Sequence, residues 1–226
     1  MAVLQIYDQL LQFPLFQGMS RDDLEIVAGH IRFGFVKIPA GKPVVKEGEP
    51  CSRLMLLTNG SVTVDTFADD RAYRVTERMS APYMLQPEAA FGYHQRYTHE
   101  VIASTDTNLL TIDKEEIVRL LEDFLVFRLN FVNIYATQIQ KLTRQSWRKC
   151  PQSLTERIIR FFAQHCIHPA GAKTFYILMT RLADEVNDSR LDVSRALNKL
   201  QDRGLLTLHR GRIEIPRMEQ LLMSPL

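Results

Sequence analysis

The sequence predicts an α+β fold in three consecutive regimes: an antiparallel jelly-roll barrel, a long helix, and a winged helix-turn-helix. Three observations carry that expectation. Between Phe33 and Ile112 short β-rich runs alternate with turn signals, from Asp113 to Cys150 no Gly or Pro interrupts the chain, and after Pro151 two compact helical patterns precede two strand-like runs flanking a turn at His209-Arg210-Gly211.

Composition narrows the classes. The chain has 226 residues, 46% hydrophobic and 24% charged, which is globular composition and excludes disorder and fibrous repeats. Its ten Gly and ten Pro are scattered, so no low-complexity linker is expected. No apolar run approaches the roughly 20 residues needed to cross a bilayer, and MAVLQIYDQL carries Asp8 with no basic residue before a long apolar stretch. A cytoplasmic protein with no membrane partner is expected. Cys51, Cys150 and Cys166 lie far apart and form no CxxC pair, which supports neither a disulfide framework nor a four-thiolate metal site. Net charge is +2, but residues 151–226 hold 11 Lys+Arg against 8 Asp+Glu, leaving 17 against 18 elsewhere. Between Arg190 and Arg212 six basic residues face two acidic ones, a local basic patch.

The first segment reads as helical, with Ser20 and Asp23 as a capping signal and Leu24, Val27, Ala28 and Ile31 at helical spacing. Strands are then expected at Phe35–Ile38, Leu54–Leu57, Ser61–Val64 and Leu109–Ile112, punctuated at Pro39-Ala40-Gly41, Glu47-Gly48-Glu49 and Asn59-Gly60. Asp113 with Glu116 three residues on is a capping-box pattern that opens a long helix, or two joined ones. Along it Leu125, Leu129, Val132, Ala136 and Ile139 repeat at spacings of four and three, while Phe127, Phe131, Ile134 and Leu142 widen the apolar surface onto a second face. A helix packed on its own barrel needs one stripe. The five-residue stripe is therefore the expected interface of a homodimer.

The last regime predicts a helix over Leu154–Cys166, a short strand Phe175–Leu178, a helix through Leu182, Ala183 and Val186, and a second helix opening at Ser189. Ser189 and Asp192 form a capping box, and Asn187-Asp188 leave room only for a tight turn in which Asn tolerates a left-handed backbone. A hairpin of Leu205–Leu208 and Arg212–Ile215 follows. On the second helix Val193, Ala196, Leu197 and Leu200 form the buried side, and Arg190, Leu191, Ser194 and Arg195 lie opposite. A capped helix offering Arg outward suits the major groove of double-stranded DNA. Arg190 or Arg195 can take guanine O6 and N7 bidentately. Ser189, Asn198, Lys199, Arg210 and Arg212 are the candidates for phosphate contacts.

Two stretches make the chain resemble the bacterial regulators of the cyclic-AMP receptor protein and fumarate-nitrate regulator superfamily. Ile38-Pro39-Ala40-Gly41-Lys42 through Lys46-Glu47-Gly48-Glu49-Pro50, with Leu56-Leu57-Thr58-Asn59-Gly60-Ser61-Val62, looks like the start of the family's cyclic-nucleotide-binding-like β-roll. Leu182-Ala183-Asp184-Glu185-Val186-Asn187-Asp188-Ser189-Arg190 to Ser194-Arg195-Ala196-Leu197 looks like its DNA-reading motif. The resemblance implies an effector-sensing domain over residues 1–112, a linker and dimerisation helix over 113–150 and a DNA-binding domain over 151–226, with RNA polymerase as a further partner.

Members that bind cyclic AMP carry a Gly-Glu pair and then an Arg-Ser/Thr-Ala signature whose Arg neutralises the cyclic phosphate. Here Leu85-Gln86-Pro87-Glu88 stands near the first and Tyr97-Thr98-His99 at the second, which makes Gln86, Glu88, Arg96, Tyr97 and Thr98 the candidate effector residues. A phosphate held away from water needs a cation or several donors, and Tyr97 supplies no charge. Arg96 is adjacent, but a one-residue shift on a strand turns a side chain to the other face. The effector is therefore unknown and expected not to be cyclic AMP, the alternative being a genuine cyclic-nucleotide responder. The cysteine cluster of the iron-sulfur members is absent, and His94 and His99 are read as ordinary surface or structural histidines, so no metal is assigned. No nucleophile with a convincing base, Gly-rich phosphate loop or HExxH is found, and catalysis is not expected. A ligand-binding or protein-interaction module without DNA binding is the alternative from another class. Leu191 stands where the best-known cyclic-AMP-responsive members place an acidic base-reading residue; it can touch a thymine methyl but accepts no hydrogen bond from cytosine.

Overall fold

A computed structural model describes residues 2–145, 147 and 149–224. They divide into two compact units, one over Met1–Val62 and Met79–Arg148, the other over Thr63–Arg78 and Lys149–Leu226.

The chain begins with α1 (Ala2–Leu10), a 3-10 turn at Pro14–Phe16 and α2 (Arg21–His30). Ser20 caps α2 as its sequence predicts, its Oγ accepting from the Asp23 amide at 3.1 Å. Eight strands follow: β1 (Phe33–Ile38), β2 (Pro43–Val45), β3 (Arg53–Asn59), β4 (Ser61–Phe67), β5 (Arg74–Ser80), β6 (Tyr83–Leu85), β7 (Glu100–Ala103) and β8 (Thr107–Asp113). An antiparallel sheet runs in the order β1-β8-β3-β6, and β2 pairs with β7. The Asn59-Gly60 turn between β3 and β4 requires glycine twice over. Its φ is +90°, and a Cβ there would stand 2.5 Å from the Asp106 carbonyl oxygen.

Alternation decides what these strands bury. Leu54 and Leu56 of β3, with Leu110 and Ile112 of β8, pack against Leu10, Phe13, Phe16, Leu24 and Val27. Two joined helices then follow, α3 (Lys114–Asp123) and α4 (Leu125–Gln145), broken at Phe124 without Pro or Gly. The expected capping box at α3 does not form. Asp113 makes no side-chain cap because it faces Arg53 across the β3–β8 ladder, and its carboxylate lies 3.8 Å from the Arg53 Nε instead. Glu116, the other half of the box, is buried and pairs with Arg119 at 3.2 Å.

On α4 the two apolar faces separate. Phe127 is fully buried against Phe16, and Phe131 and Ile134 pack on the same core. Leu125, Leu129, Val132 and Ile139 are exposed, with Ala136 half-buried between them. Leu142, grouped by its spacing with the core-facing residues, is 64% exposed, since the helix by then has run past the residues its inner face covers.

In the second unit α5 (Leu154–Gln164) is capped by Ser153, whose Oγ accepts from the Glu156 amide at 3.2 Å. It ends two residues before Cys166. Next come β9 (Lys173–Tyr176), α6 (Met179–Val186), α7 (Arg190–Asp202), β10 (Thr207–His209), β11 (Arg212–Ile215) and α8 (Met218–Met223). β9 starts and ends two residues earlier than its sequence suggested, because Leu178 is already the extended residue that opens α6. β10 begins at Thr207, two residues into the expected run, and Leu206 is buried in the core as part of the turn out of α7. The strands run β10-β11-β9, and β5 adds to the free edge of β9. The core joins Ile158, Phe162, Phe175, Leu182, Val193, Leu197, Ile213 and Met218, with Val75 from β5 among them. Residues 63–78 fall within the 1–112 segment that the sequence assigns to the β-roll, yet they cluster with this unit.

Candidate DNA interface and effector site

The turn between α6 and α7 forms as its two residues dictate. Asn187 has φ 51° and ψ 61°, its amide closes back on α6, and Ser189 opens α7. The Ser189 Oγ accepts from the Asp192 amide at 3.1 Å and lies 2.7 Å from the Asp192 carboxylate, so its hydroxyl is occupied with capping. Arg157 pairs with Asp188 and ties α5 to this turn.

Val193, Ala196, Leu197 and Leu200 are buried. Arg190, Leu191, Arg195, Asn198 and Lys199 are exposed and Ser194 is half-buried, so the structure brings the sequence-predicted α7 residues onto one solvent-facing side. Arg195 lies 3.3 Å from Asp192, an exposed i,i+3 pair of the kind that contributes little and can be given up to a base or phosphate. Leu191, 60% exposed, is an apolar group offered to solvent beside two arginines.

The wing differs from expectation in one residue. Arg210 is exposed at the tip, beside Gly211 at φ 71°. Arg212 is half-buried, with its Nε 3.2 Å from Glu214, and His209 approaches the same carboxylate at 3.3 Å. Strand pairing explains this, since His209 and Arg212 are register partners and Glu214 lies two residues along on the same face. A cleft of about 310 Å³ separates wing from helix and is lined by Thr180, Arg190, His209 and Arg210 over an apolar floor including Leu178 and Leu208. Sequence reasoning missed Thr180 and His209; their signal was proximity to the α6 start and the hairpin turn, which pattern alone does not place beside α7.

In the first unit the candidate effector residues divide by role. Gln86, in the left-handed region at φ 37°, is buried and fully engaged. Its Oε1 accepts from the Thr98 amide at 2.8 Å, the Thr98 hydroxyl at 3.1 Å and the His99 amide at 2.9 Å, while its Nε2 donates to the His99 carbonyl at 2.9 Å. Tyr97 points inward, its hydroxyl 3.3 Å from the Arg53 carbonyl oxygen, and burial together with Cys51 pushes its pKa up. Arg96 and Thr98 face solvent, and the Arg96 guanidinium donates to the Gly48 carbonyl at 2.7 Å. The stretch is not the strand that the sequence suggested, since β7 begins only at Glu100 and Arg96 makes an isolated bridge to Pro50, but its backbone still turns Tyr97 inward and Arg96 outward. Glu88 reaches solvent, yet surrounding protein strips enough water from its carboxyl to raise its pKa. Tyr135 of α4, which the sequence did not single out, donates to the Pro87 carbonyl at 2.7 Å; burial and then the Glu88 charge raise its pKa. Among the described residues no group of three or more His, Cys, Asp or Glu is placed to hold a metal. Among the described residues no helix is long and apolar enough to cross a membrane.

Comparison with known proteins matches residues 35–124 to the cyclic nucleotide-binding domain family and residues 156–223 to the Crp-like helix-turn-helix domain family. Over 215 residues the chain is 23% identical to the cyclic AMP receptor protein of Thermus thermophilus, covering 89% of this chain and 92% of that one. Its fold is similar to that of the Thermus thermophilus catabolite activator protein, at 20% identity over 92% of this chain and 98% of the other, with a TM-score of 0.52. It is also similar to the c-di-GMP responsive global regulator CLP of Xanthomonas campestris, at 19% identity over 87% and 99% of the two chains, with a TM-score of 0.50.

Proposed function

This chain belongs to the cyclic-AMP receptor protein and fumarate-nitrate regulator superfamily of DNA-binding transcription regulators, and from that premise we propose that it acts as a cytoplasmic homodimer that reads an inverted-repeat operator through α7 and senses a small molecule other than cyclic AMP. The observation that carries the reading is the outer side of α7. Arg190 and Arg195 are exposed there on a helix capped by Ser189 and flanked by a wing bearing Arg210, an arrangement that presents cations to a duplex and buries none of them.

Dimerisation rests on α4. Four large apolar side chains, Leu125, Leu129, Val132 and Ile139, stand more than half exposed in a row, while the same helix satisfies its own core through Phe127. A second copy of α4 is the covering that such a stripe fits. In a two-fold dimer the two α7 helices enter successive major grooves about 34 Å apart. Acting on transcription then makes RNA polymerase the downstream partner.

The effector reading rests on Tyr97 and Arg96. The side chain at the place of the phosphate-neutralising Arg is an uncharged, inward phenol, and the neighbouring cation faces away and is held by the Gly48 carbonyl. Calorimetry with cyclic AMP is expected to give no binding at micromolar concentration; micromolar or tighter binding overturns this part and makes Arg96→Ala the next variant. For DNA, titration of a random duplex across salt concentrations is expected to give a steep fall of log K with log salt, as counterion release requires. A flat dependence contradicts DNA reading and returns the chain to the interaction-module class.

A further inference from the structure

The second compact unit contains a segment that its sequence position assigns elsewhere. Residues 63–78 lie inside the cyclic nucleotide-binding match at 35–124, but they cluster with Lys149–Leu226. Their strand β5 pairs antiparallel with β9 in a fixed register, Arg74 opposite Tyr176, Val75 opposite Phe175, Thr76 opposite Thr174 and Glu77 opposite Lys173.

The alternation of that ladder gives it two unlike faces. Inward, Val75 joins the core beside Phe175, and Glu77 meets Lys173 with both side chains essentially inaccessible, the Lys173 Nζ lying 2.6 Å from the Glu77 Oε2. The Glu77 carboxylate also accepts from the Ile167 and His168 amides, so its remaining lone pairs are satisfied by the loop after α5. Outward, the Arg74 guanidinium stacks 4.3 Å from the Tyr176 ring centre. Beyond the ladder the Tyr73 hydroxyl lies 2.9 Å from the His165 Nε2 at the end of α5, and Asp70 pairs at 3.0 Å with Arg181 of α6. The segment therefore touches α5, α6 and β9. These are the supports of the interface: α6 leads through Asn187 into α7, and β9 pairs with β11 of the wing.

We propose that residues 63–78, a strap carried within the β-roll sequence, complete the DNA-binding unit through β5, and that duplex binding requires this strap to stay seated on β9. The proposal rests on the DNA-binding reading above. Without β5, Lys173 loses its counter-charge, β9 is an open sheet edge and Phe175 loses one of its walls. The buried pair adds register more than net stability, since both charges regain water when the strap lifts. Glu77 and Lys173 are thus positioning residues for the wing and for α7, and the two covalent crossings at 62–63 and 78–79 connect the β-roll to that interface in addition to the crossing after α4.

The test uses the full chain. Glu77→Gln and Lys173→Met are each expected to speed amide hydrogen exchange at 74–77 and 173–176 and to weaken binding to a selected operator duplex tenfold or more, with the double variant recovering most of that loss. Faster exchange with operator affinity kept within twofold overturns the proposal, and so does unchanged exchange in both single variants, which shows that the pair does not seat the strap. A second protein, Thr76→Cys with Thr174→Cys in a Cys150→Ser background, joins register partners whose spacing suits a disulfide. Oxidised, it is expected to bind duplex at least as tightly as when reduced; a tenfold weaker oxidised form means that the seated strap inhibits, which overturns the proposal. If the unsubstituted chain binds no duplex at all, the functional reading fails instead, and exchange at 74–77 still reports whether the strap is seated.

Discussion

Gln86 and Arg190 were both singled out as candidate contact residues from sequence, and the structure treats them oppositely. Gln86 spends both ends of its amide on the Thr98-His99 backbone and is buried. Arg190 stands exposed, and among the described residues it makes no hydrogen bond or ion pair. The difference teaches that a polar residue at a family's site position is scaffold when its own fold consumes its donors and acceptors, and interface when they remain available to a partner. Four predictions follow from that distinction, and each can break it.

The largest effect belongs to an apolar surface left available. Val132→Glu with Ala136→Glu is expected to yield monomers in sedimentation and, by loss of simultaneous engagement of two half-sites, to weaken operator binding by about 10² to 10⁴. An intact dimer places the interface elsewhere than α4.

Next is a saturated residue. Gln86→Leu leaves the Thr98 and His99 amides without their acceptor and is expected to cost about 2–4 kcal/mol in thermal or denaturant unfolding, while the salt slope of duplex binding stays unchanged. A variant as stable as the parent shows that those bonds are not what holds Gln86.

The wing gives a finer contrast within one hairpin. Arg210→Ala is expected to weaken operator and random duplex alike and lower the salt slope by about 1 per subunit. Arg212→Ala is expected to do less, because Glu214 already engages that guanidinium at 3.2 Å. Equal effects on the slope mean that Arg212 abandons Glu214 for phosphate.

The smallest effect is in the thiols. Burial and then Glu77 push the Cys166 pKa up to about 12, whereas Cys150 is exposed. Alkylation of the folded chain near pH 8 is expected to modify Cys150 well before Cys166 or the buried Cys51. Since the native state holds the Cys166 proton to higher pH than the unfolded chain does, this group's contribution makes stability fall as pH rises from about 9 towards 12. Replacing Cys166 with Ser is expected to flatten that limb of a pH–stability curve.

Much of this was legible in the sequence because the signals were local. Ser20 and Ser189 cap the helices that follow them, Asn187 adopts the left-handed turn and Gly60 turns the chain between β3 and β4 at positive φ, since each of those outcomes depends on residues at most three or four apart. Asp113 failed as a cap for a non-local reason, its cross-strand position opposite Arg53. Likewise nothing near Glu77 announces Lys173, 96 positions along by their numbering, or shows that β5 will extend the sheet of the wing. At the sites, helical period placed the α7 residues on one side without help, but the engagement of Arg212 depends on a partner set by strand register, and that of Gln86 and Tyr97 on backbone groups of other segments brought beside them by the fold. Pattern reads faces; it does not read which polar groups those faces have already used.

The central claim is that α7 reads bases, and binding titrations of Arg190→Ala and Arg195→Ala on the operator selected by the unsubstituted chain test it most directly. Each variant is expected to lose about 1–3 kcal/mol on that operator and to relax preference at one base pair per half-site, with random-duplex affinity much less affected. Equal losses on operator and random duplex, with the selected motif intact, would make both arginines phosphate anchors and contradict the claim.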